Sequence, residues 1–192
     1  MRKNEKEIML KIRPFKEEDS EQLNKIAVES FLEFKDHYSN WSHIKNSVGS
    51  LASLKDKADI LIAEENSEIV GGVALVSPGN DNNINIKPHW ATIRVLVVSP
   101  SHRGKGIAKA LTSTCLTIAS NKNYSSVALY TSNIMKVALS MYLKLGFKHI
   151  KNIGLICGVE YNLYKLKIPH NKSVKLAQKT RLDQLNSSWP LT

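Results

Sequence analysis

The sequence predicts an α/β (α+β) fold built as one domain, with elements in the order β-α-α-β-β-β-α-β-α-β-β. Three observations carry that prediction. Segments with the alternation or β-branched character of strands are interleaved with segments whose apolar residues recur at helical spacing. The chain has 192 residues, 42% of them hydrophobic, which suffices for one full core and is short for two. A β-branched run, "WATIRVLVVSP", closes on a proline and opens into a helical pattern through the glycine-bracketed cationic turn of "SHRGKGIAKALT", residues 101–112.

"MLKIRPF" alternates as a strand, and "EEDSEQLNKIAVESFLEF" follows with Leu23, Ile26, Ala27, Ser30, Phe31 and Phe34 at helical spacing. Asp19 or Ser20 is placed to cap that helix, either oxygen accepting from a first-turn amide. A weaker periodicity predicts a second helix over 41–57, reached through the polar, aromatic-bearing link "DHYSNWSH". "ADILIAEE" and "EIVGGVALVS" are two strands joined at "NS" by a hairpin-type turn, with Gly71 and Gly72 marking a bulge or a close backbone approach. "GNDNNINIKPH" is a loop by composition and "WATIRVLVV" the next strand. Residues 104–121 form a helix with Ile107, Ala108, Leu111, Cys115, Ile118 and Ala119 inward. "SSVALYTS" is a strand, "MKVALSMYLKLG" a helix stopped by Gly146, and "YNLYKLKI" the final strand. Past Pro169 the composition turns polar; Val174, Ala177, Leu182 and Leu185 suit one short amphipathic helix, and an irregular tail fits equally.

No stretch approaches the roughly 18 to 20 apolar residues that span a bilayer, and the opening "MRKNEKEIML" is charged where a signal peptide is apolar. Cys115 and Cys157 have no C-x-x-C spacing and build no disulfide framework, so the expectation is a cytoplasmic protein without a membrane partner. The six histidines lack zinc-type spacing, and no metal is expected.

The net charge of +10 is unevenly placed: 15 of the 17 acidic residues lie at or before Asp81, against 11 Lys and Arg there. From Asn82 onward Glu160 and Asp183 oppose 16 Lys and Arg. The basic half admits a nucleic-acid-binding protein, but neither an aromatic-rich strand pattern nor a helix-turn-helix accompanies the charge, which argues against that partner.

A Walker A loop needs four residues between its first glycine and a G-K-[ST] triplet, which "RGKGIAK" lacks. A dinucleotide fingerprint needs Gly or Ala where Lys109 stands and an acid about 20 residues on, but no acid occurs between Asp81 and Glu160. What remains is an anion site, most simply for a pyrophosphate: unpaired amides from Gly104 to Ala108 at a helix N-terminus, with Arg103, Lys105 and Lys109 around them. An ordinary tight connection with exposed cations is the bland alternative.

"VLVVSPSHRGKGIAKAL" resembles the central motif of the GNAT superfamily of acyl-CoA N-acyltransferases, Q/R-x-x-G-x-G/A, with Arg103, Gly106 and Ala108 at its positions. "ALSMYLKLGF" is similar to the family's A-x-x-x-Y-x-x-x-G-F segment, with Tyr142, Gly146 and Phe147 in place. The resemblance covers about residues 8–168 and leaves 169–192 as a polar basic tail. It implies a mixed, centrally splayed sheet with coenzyme A between residues 91–98 and 125–131. The pantetheine arm would run along the backbone of Leu96, Val97 and Val98, and the diphosphate would rest on Arg103, Gly104, Lys105, Gly106, Ile107, Ala108 and Lys109. Carboxylates near those phosphates would repel them, in keeping with the acid-free stretch.

The resemblance further implies acetyl-CoA as co-substrate and direct attack by a primary amine, through a tetrahedral intermediate. An amide near Leu96 would polarise the carbonyl, and Tyr142 would protonate the leaving sulfur. A phenol near its ordinary pKa of about 10 is protonated at neutral pH and suits that role; packing beneath the coenzyme is the structural alternative. Where many relatives carry Glu as a base the strand offers Thr92, which is no base, and Met135 stands where an Asn is common. The acceptor site of the fold draws on the first two helices and their link, where Glu33, Asp36 and Tyr38 would welcome a cationic amine. Glu33 and Asp36 serve equally as a solvated helix face. The acceptor, a small amine or a protein amine, is not named by the sequence. A non-catalytic acyl-CoA-binding regulatory domain is the alternative function, and a homodimer is compatible with either.

Overall fold

A computed structural model describes residues 10–169. Strand β1 (Leu10–Pro14) leads through a 3₁₀ turn into α1 (Ser20–Phe31), and a second 3₁₀ stretch (Leu32–His37) connects to α2 (Trp41–Val48). Strands β2 (Ala58–Glu65), β3 (Glu68–Val76) and β4 (Ala91–Val98) precede α3 (Ile107–Asn121), β5 (Ser126–Thr131), α4 (Lys136–Lys144), β6 (Lys148–Ile156) and β7 (Val159–Lys167). This is the expected order. The strands form one sheet, β1-β2-β3-β4-β5-β7-β6, in which β4 and β5 are the parallel pair and every other pairing is antiparallel.

Helices cover both faces because strand side chains alternate. Ile60 and Ile62 of β2 meet Leu23, Ile26 and Ala27 of α1 on one face. Their neighbours Leu61 and Ala63 join Ile107, Leu111, Cys115 and Ala119 of α3 on the other. Cys115 is enclosed there, and burial pushes its thiol up to about 12, so it packs as a neutral core residue.

The hairpin between β2 and β3 turns on Asn66 and Ser67, both at positive φ, as a two-residue connection of that hand demands. Gly71 and Gly72 mark both a register shift and a close approach: a Cβ on Gly71 would lie 2.6 Å from the Val97 carbonyl, and one on Gly72 2.5 Å from Leu23.

Two local expectations are corrected. Asp19 does not cap α1; its carboxylate accepts from the Lys16 amide at 2.7 Å and from Arg13 at 2.7 and 2.9 Å, while the Ser20 hydroxyl donates to the Glu17 carbonyl. The helix expected over 41–57 stops at Val48, and Leu51–Leu54 form a separate 3₁₀ turn. Burial of Leu51 and Ala52 against α1, with the Ala52 amide donating to Asn24 at 3.0 Å, outweighs continuation through Gly49 and Ser50. The apolar pattern at 174–185 lies outside the described residues, as does the rest of the tail after Pro169.

Candidate active site

Strands β4 and β5 pair at Ala91 with Val127 and at Thr92 with Ala128, and no further. Beyond Thr92 they part, leaving a gap in the middle of the sheet. A bulge sets the divergence: Val95 sits at φ +50, a strained conformation for a β-branched residue, and the β3–β4 register shifts opposite it. The Val97 carbonyl faces β3 beside Gly71, so by the alternation of backbone groups Leu96 and Val98 turn theirs to the open edge. The Val98 carbonyl is already engaged by the Ser30 hydroxyl at 3.0 Å and by Arg103 Nε at 3.4 Å. Of the three expected backbone partners of an extended ligand, Leu96 turns its carbonyl to the gap by that alternation, and Val97 does not.

At the wide end of the gap, a 3₁₀ turn (Pro100–His102) leads to Gly104 and Gly106, at φ +79 and +81, and then to α3. A Cβ at either glycine meets nothing within 4 Å, so the turn needs glycine for its backbone conformation and leaves open space over its amides. The Ala110 amide is the first of α3 bonded back into the turn, to Gly106, and no side chain caps the helix. Alongside runs a groove of about 590 Å³ between α3 and α4, lined by Lys109, Lys136 and Lys144 with Val137 and Met141. None of these three lysines has an ion-pair partner among the described residues. Uncapped amides, open space and cations suit phosphates. A second groove of about 540 Å³, at the β1–β2 end, is crossed by the Glu17–Lys55 ion pair and lies away from the gap.

The side chains of Arg103 and Lys105 are paired with carboxylates in this structure. Arg103 pairs with Glu33 and donates to the Ser30 carbonyl at 2.9 Å, fastening the turn to the end of α1. Lys105 pairs with buried Glu65 at 2.9 Å, and His102 lies 3.5 Å from the same carboxylate. Glu33 is thereby paired across to the glycine turn, and Asp36 is exposed in the link after α1. Tyr38 is buried, its hydroxyl 2.6 Å from that of Tyr161.

Thr92 sits where the two strands still pair, fully enclosed, and its hydroxyl is the one sealed side-chain polar atom without a partner among the described residues. It belongs to the closed end of the cleft. Thr92→Val should therefore leave stability unchanged or raise it by up to about 1 kcal/mol, read by chemical denaturation, since a lone buried hydroxyl loses its hydration and gains no bond.

Tyr142 is fixed by the segment after it. Gly146, at φ +93, ends α4; the Phe147 amide then returns to the Tyr142 carbonyl at 3.1 Å, and the two rings meet edge-on with centroids 5.6 Å apart. Burial holds the phenol well above its ordinary value, no hydrogen bond contributes, and the group is protonated throughout the physiological range.

The gap joins two chemically different faces. Tyr142 packs with the α3 core, and Leu96 and Val98 border that core. On the opposite face Tyr38, Tyr161, Tyr130 and Val95 line a wall with Phe31 and Trp41. Tyr130 meets Tyr161 edge-on at 6.1 Å, and the Arg94 guanidinium lies 5.0 Å from the Tyr130 ring centroid. Burial raises the Tyr130 and Tyr161 phenols, so these hydroxyls also stay protonated. Arg94, Tyr130 and Tyr161 escaped the reading of the sequence. The available signal was strand alternation, which puts Arg94 two residues from Thr92 on the same face but at the open end of β4.

Comparison with known proteins agrees with this geometry. A model of the acetyltransferase (GNAT) family matches residues 20–147. N-acetyltransferase 8B of Mus musculus is 42% identical over 87 residues, 45% of this chain and 36% of that protein. N-acetylaspartate synthetase of Xenopus tropicalis is 36% identical over 89 residues, 46% of this chain and 30% of that protein. The chain thus spans well under half the length of these curated relatives. Among solved structures, a GNAT-family acetyltransferase of Staphylococcus aureus Mu50 superposes with TM-score 0.66 at 17% identity, over 84% of this chain and 100% of that one. The PaiA N-acetyltransferase of Thermoplasma acidophilum, in complex with coenzyme A, does so with TM-score 0.63 at 24% identity, over 82% and 99%. The split central sheet, the glycine turn and the match over residues 20–147 together place the chain in the acetyltransferase (GNAT) family.

Proposed function

We propose that this chain transfers an acetyl group from acetyl-CoA to a primary amine. The observation that carries the reading is the gap through the sheet, with a phosphate-suited turn and a buried phenol on one face and an aromatic wall on the other. Two substrates entering from opposite faces meet at the edge of β4. The coenzyme complex of the Thermoplasma relative and the N-acetyltransferase names of the curated relatives support it.

The residues present fit coenzyme A. Amides from Gly104 to Lys109 would hold the diphosphate, Lys109, Lys136 and Lys144 would neutralise the nucleotide end, and Leu96 would pair with the pantetheine arm. Bound as the thioester, the coenzyme supplies an activated acetyl group. The amine nitrogen would bond to the thioester carbon, its carbonyl polarised by the Leu96 amide, and the C–S bond would break as Tyr142 gives its proton to the sulfur. The proton shed by the amine would pass to solvent, from which Tyr142 regains its own. Thr92 takes no part.

Calorimetric titration with coenzyme A and free-thiol release from acetyl-CoA across a panel of amines test the reading. Binding with turnover supports it; binding without release from any amine favours a non-catalytic coenzyme-binding domain; absence of binding sinks the phosphate turn. Gly106→Ala should keep the fold, since its methyl meets no protein atom, yet weaken coenzyme A binding about five- to tenfold. An L-residue at φ +81 costs about 1 kcal/mol or more, and the methyl occupies space over the amides.

A further inference from the structure

Arg94 is the charged group on the acceptor face of the gap that this mechanism leaves unused. It lies on β4 immediately before the bulge, its side chain 26% exposed. Asp81, whose side chain is 2% exposed, faces Nη1 alone, at 3.3 and 3.4 Å, while also accepting the Asn83 amide at 2.9 Å. Those are long contacts for an ion pair, and Nε and Nη2 have no hydrogen-bond partner among the described residues. Asp81 below and the Tyr130 ring 5.0 Å away hold the guanidinium in one orientation with one edge of its fork unused. A planar fork of that kind matches a carboxylate with two parallel hydrogen bonds.

Of the carboxylates expected to draw a cationic acceptor, Glu33 is bound to Arg103 and Asp36 is exposed in the link after α1. Asp81 offsets the charge of Arg94, but among the described residues the Nε and Nη2 donors of the guanidinium stay open on this wall. An acid group on the acceptor accepts from that edge and is oriented by it, whereas a polyamine offers it no acceptor.

We propose that Arg94 binds a carboxylate of the acceptor, so that this site selects free amino acids over amines without an acid group. The inference rests on the acetyltransferase reading above and adds the acceptor class to it. Paired with its carboxylate, the acceptor sits with its amine toward the Leu96 edge of the gap.

The test compares each of a panel of amino acids with its α-carboxamide and its decarboxylated amine, in the wild-type protein and in Arg94→Gln and Arg94→Lys, by thiol release. The wild type should prefer the acid at least tenfold in kcat/KM. Arg94→Gln should reduce that preference to within about threefold, chiefly through KM and with coenzyme A affinity unchanged, and Arg94→Lys should restore part of it. Equal use of acid, amide and decarboxylated amine by the wild type overturns the proposal while leaving the acetyltransferase standing, as does a preference that survives in Arg94→Gln. Arg94→Gln/Asp81→Asn removes both charges and reads the same ratio if the single variant folds poorly. Where no amine is acetylated, titration of the coenzyme-saturated protein with the same pairs decides: acid-selective binding supports the proposal, and equal or no binding overturns it.

Discussion

Tyr142→Phe should lower kcat for acetyl transfer at least tenfold while leaving coenzyme A affinity within about twofold and the melting temperature nearly unchanged. The ring is held by Phe147 and the α3 core, and both contacts survive loss of the hydroxyl. No hydrogen bond contributes to the state of that hydroxyl, so its removal orphans no identified partner. On the proposed mechanism the variant lacks the proton donor to the leaving sulfur, and positioned acids contribute about 10² to 10⁴ in rate. A thiolate leaves readily, which puts the expectation at the low end. Because burial raises the phenol, the wild-type rate should show no deprotonation of this group below about pH 10. An unchanged rate in the phenylalanine variant would reduce Tyr142 to a packing residue; stopped-flow or steady-state thiol detection decides.

Asp19→Asn should cost about 3 kcal/mol of folding stability, measured by urea denaturation at neutral pH. Arg13 and Asp19 are nearly enclosed, with side chains 15% and 5% exposed, and removing one partner of such a pair leaves the other charge uncompensated. Arg13 keeps Glu64 at 2.7 Å, which moderates the loss. The hydrogen bond from Arg13, ahead of the Lys16 amide, holds the Asp19 carboxyl below its ordinary value. A group depressed in the folded state stabilises above its unfolded pKa, near 3.9, and that contribution disappears as pH falls through the folded pKa. The gap between wild type and variant should accordingly be full at pH 6 and shrink below about pH 4. A gap independent of pH would assign the loss to packing.

The order of elements was legible because each is written locally. Period-2 and helical spacing marked the strands and helices, Asn66 and Ser67 the hairpin turn, and Gly146 the end of α4. The glycine turn was legible for the same reason, since positive φ at Gly104 and Gly106 is a property of single residues. Partners of side chains were not. The cations of Arg103 and Lys105 suggested an anion from sequence, and folding brings Glu33 and Glu65 to them from the 3₁₀ stretch after α1 and from β2. Thr92 and Arg94 are alike in periodicity, and only the point where β4 leaves β5 separates a sealed core position from one on the open wall.

By itself the sequence determined the element order, the uncapped glycine turn before α3 and the Tyr-x-x-x-Gly-Phe segment, because backbone conformation and amphipathic period depend on neighbours along the chain. Tertiary structure alone decided where the sheet opens, which charges are spent on one another, and that Arg94, Tyr130 and Tyr161 stand together on the face opposite the α3 core. Those depend on register between distant strands and on ion pairs across the fold, and contacts between residues tens of positions apart leave no periodic trace in the sequence.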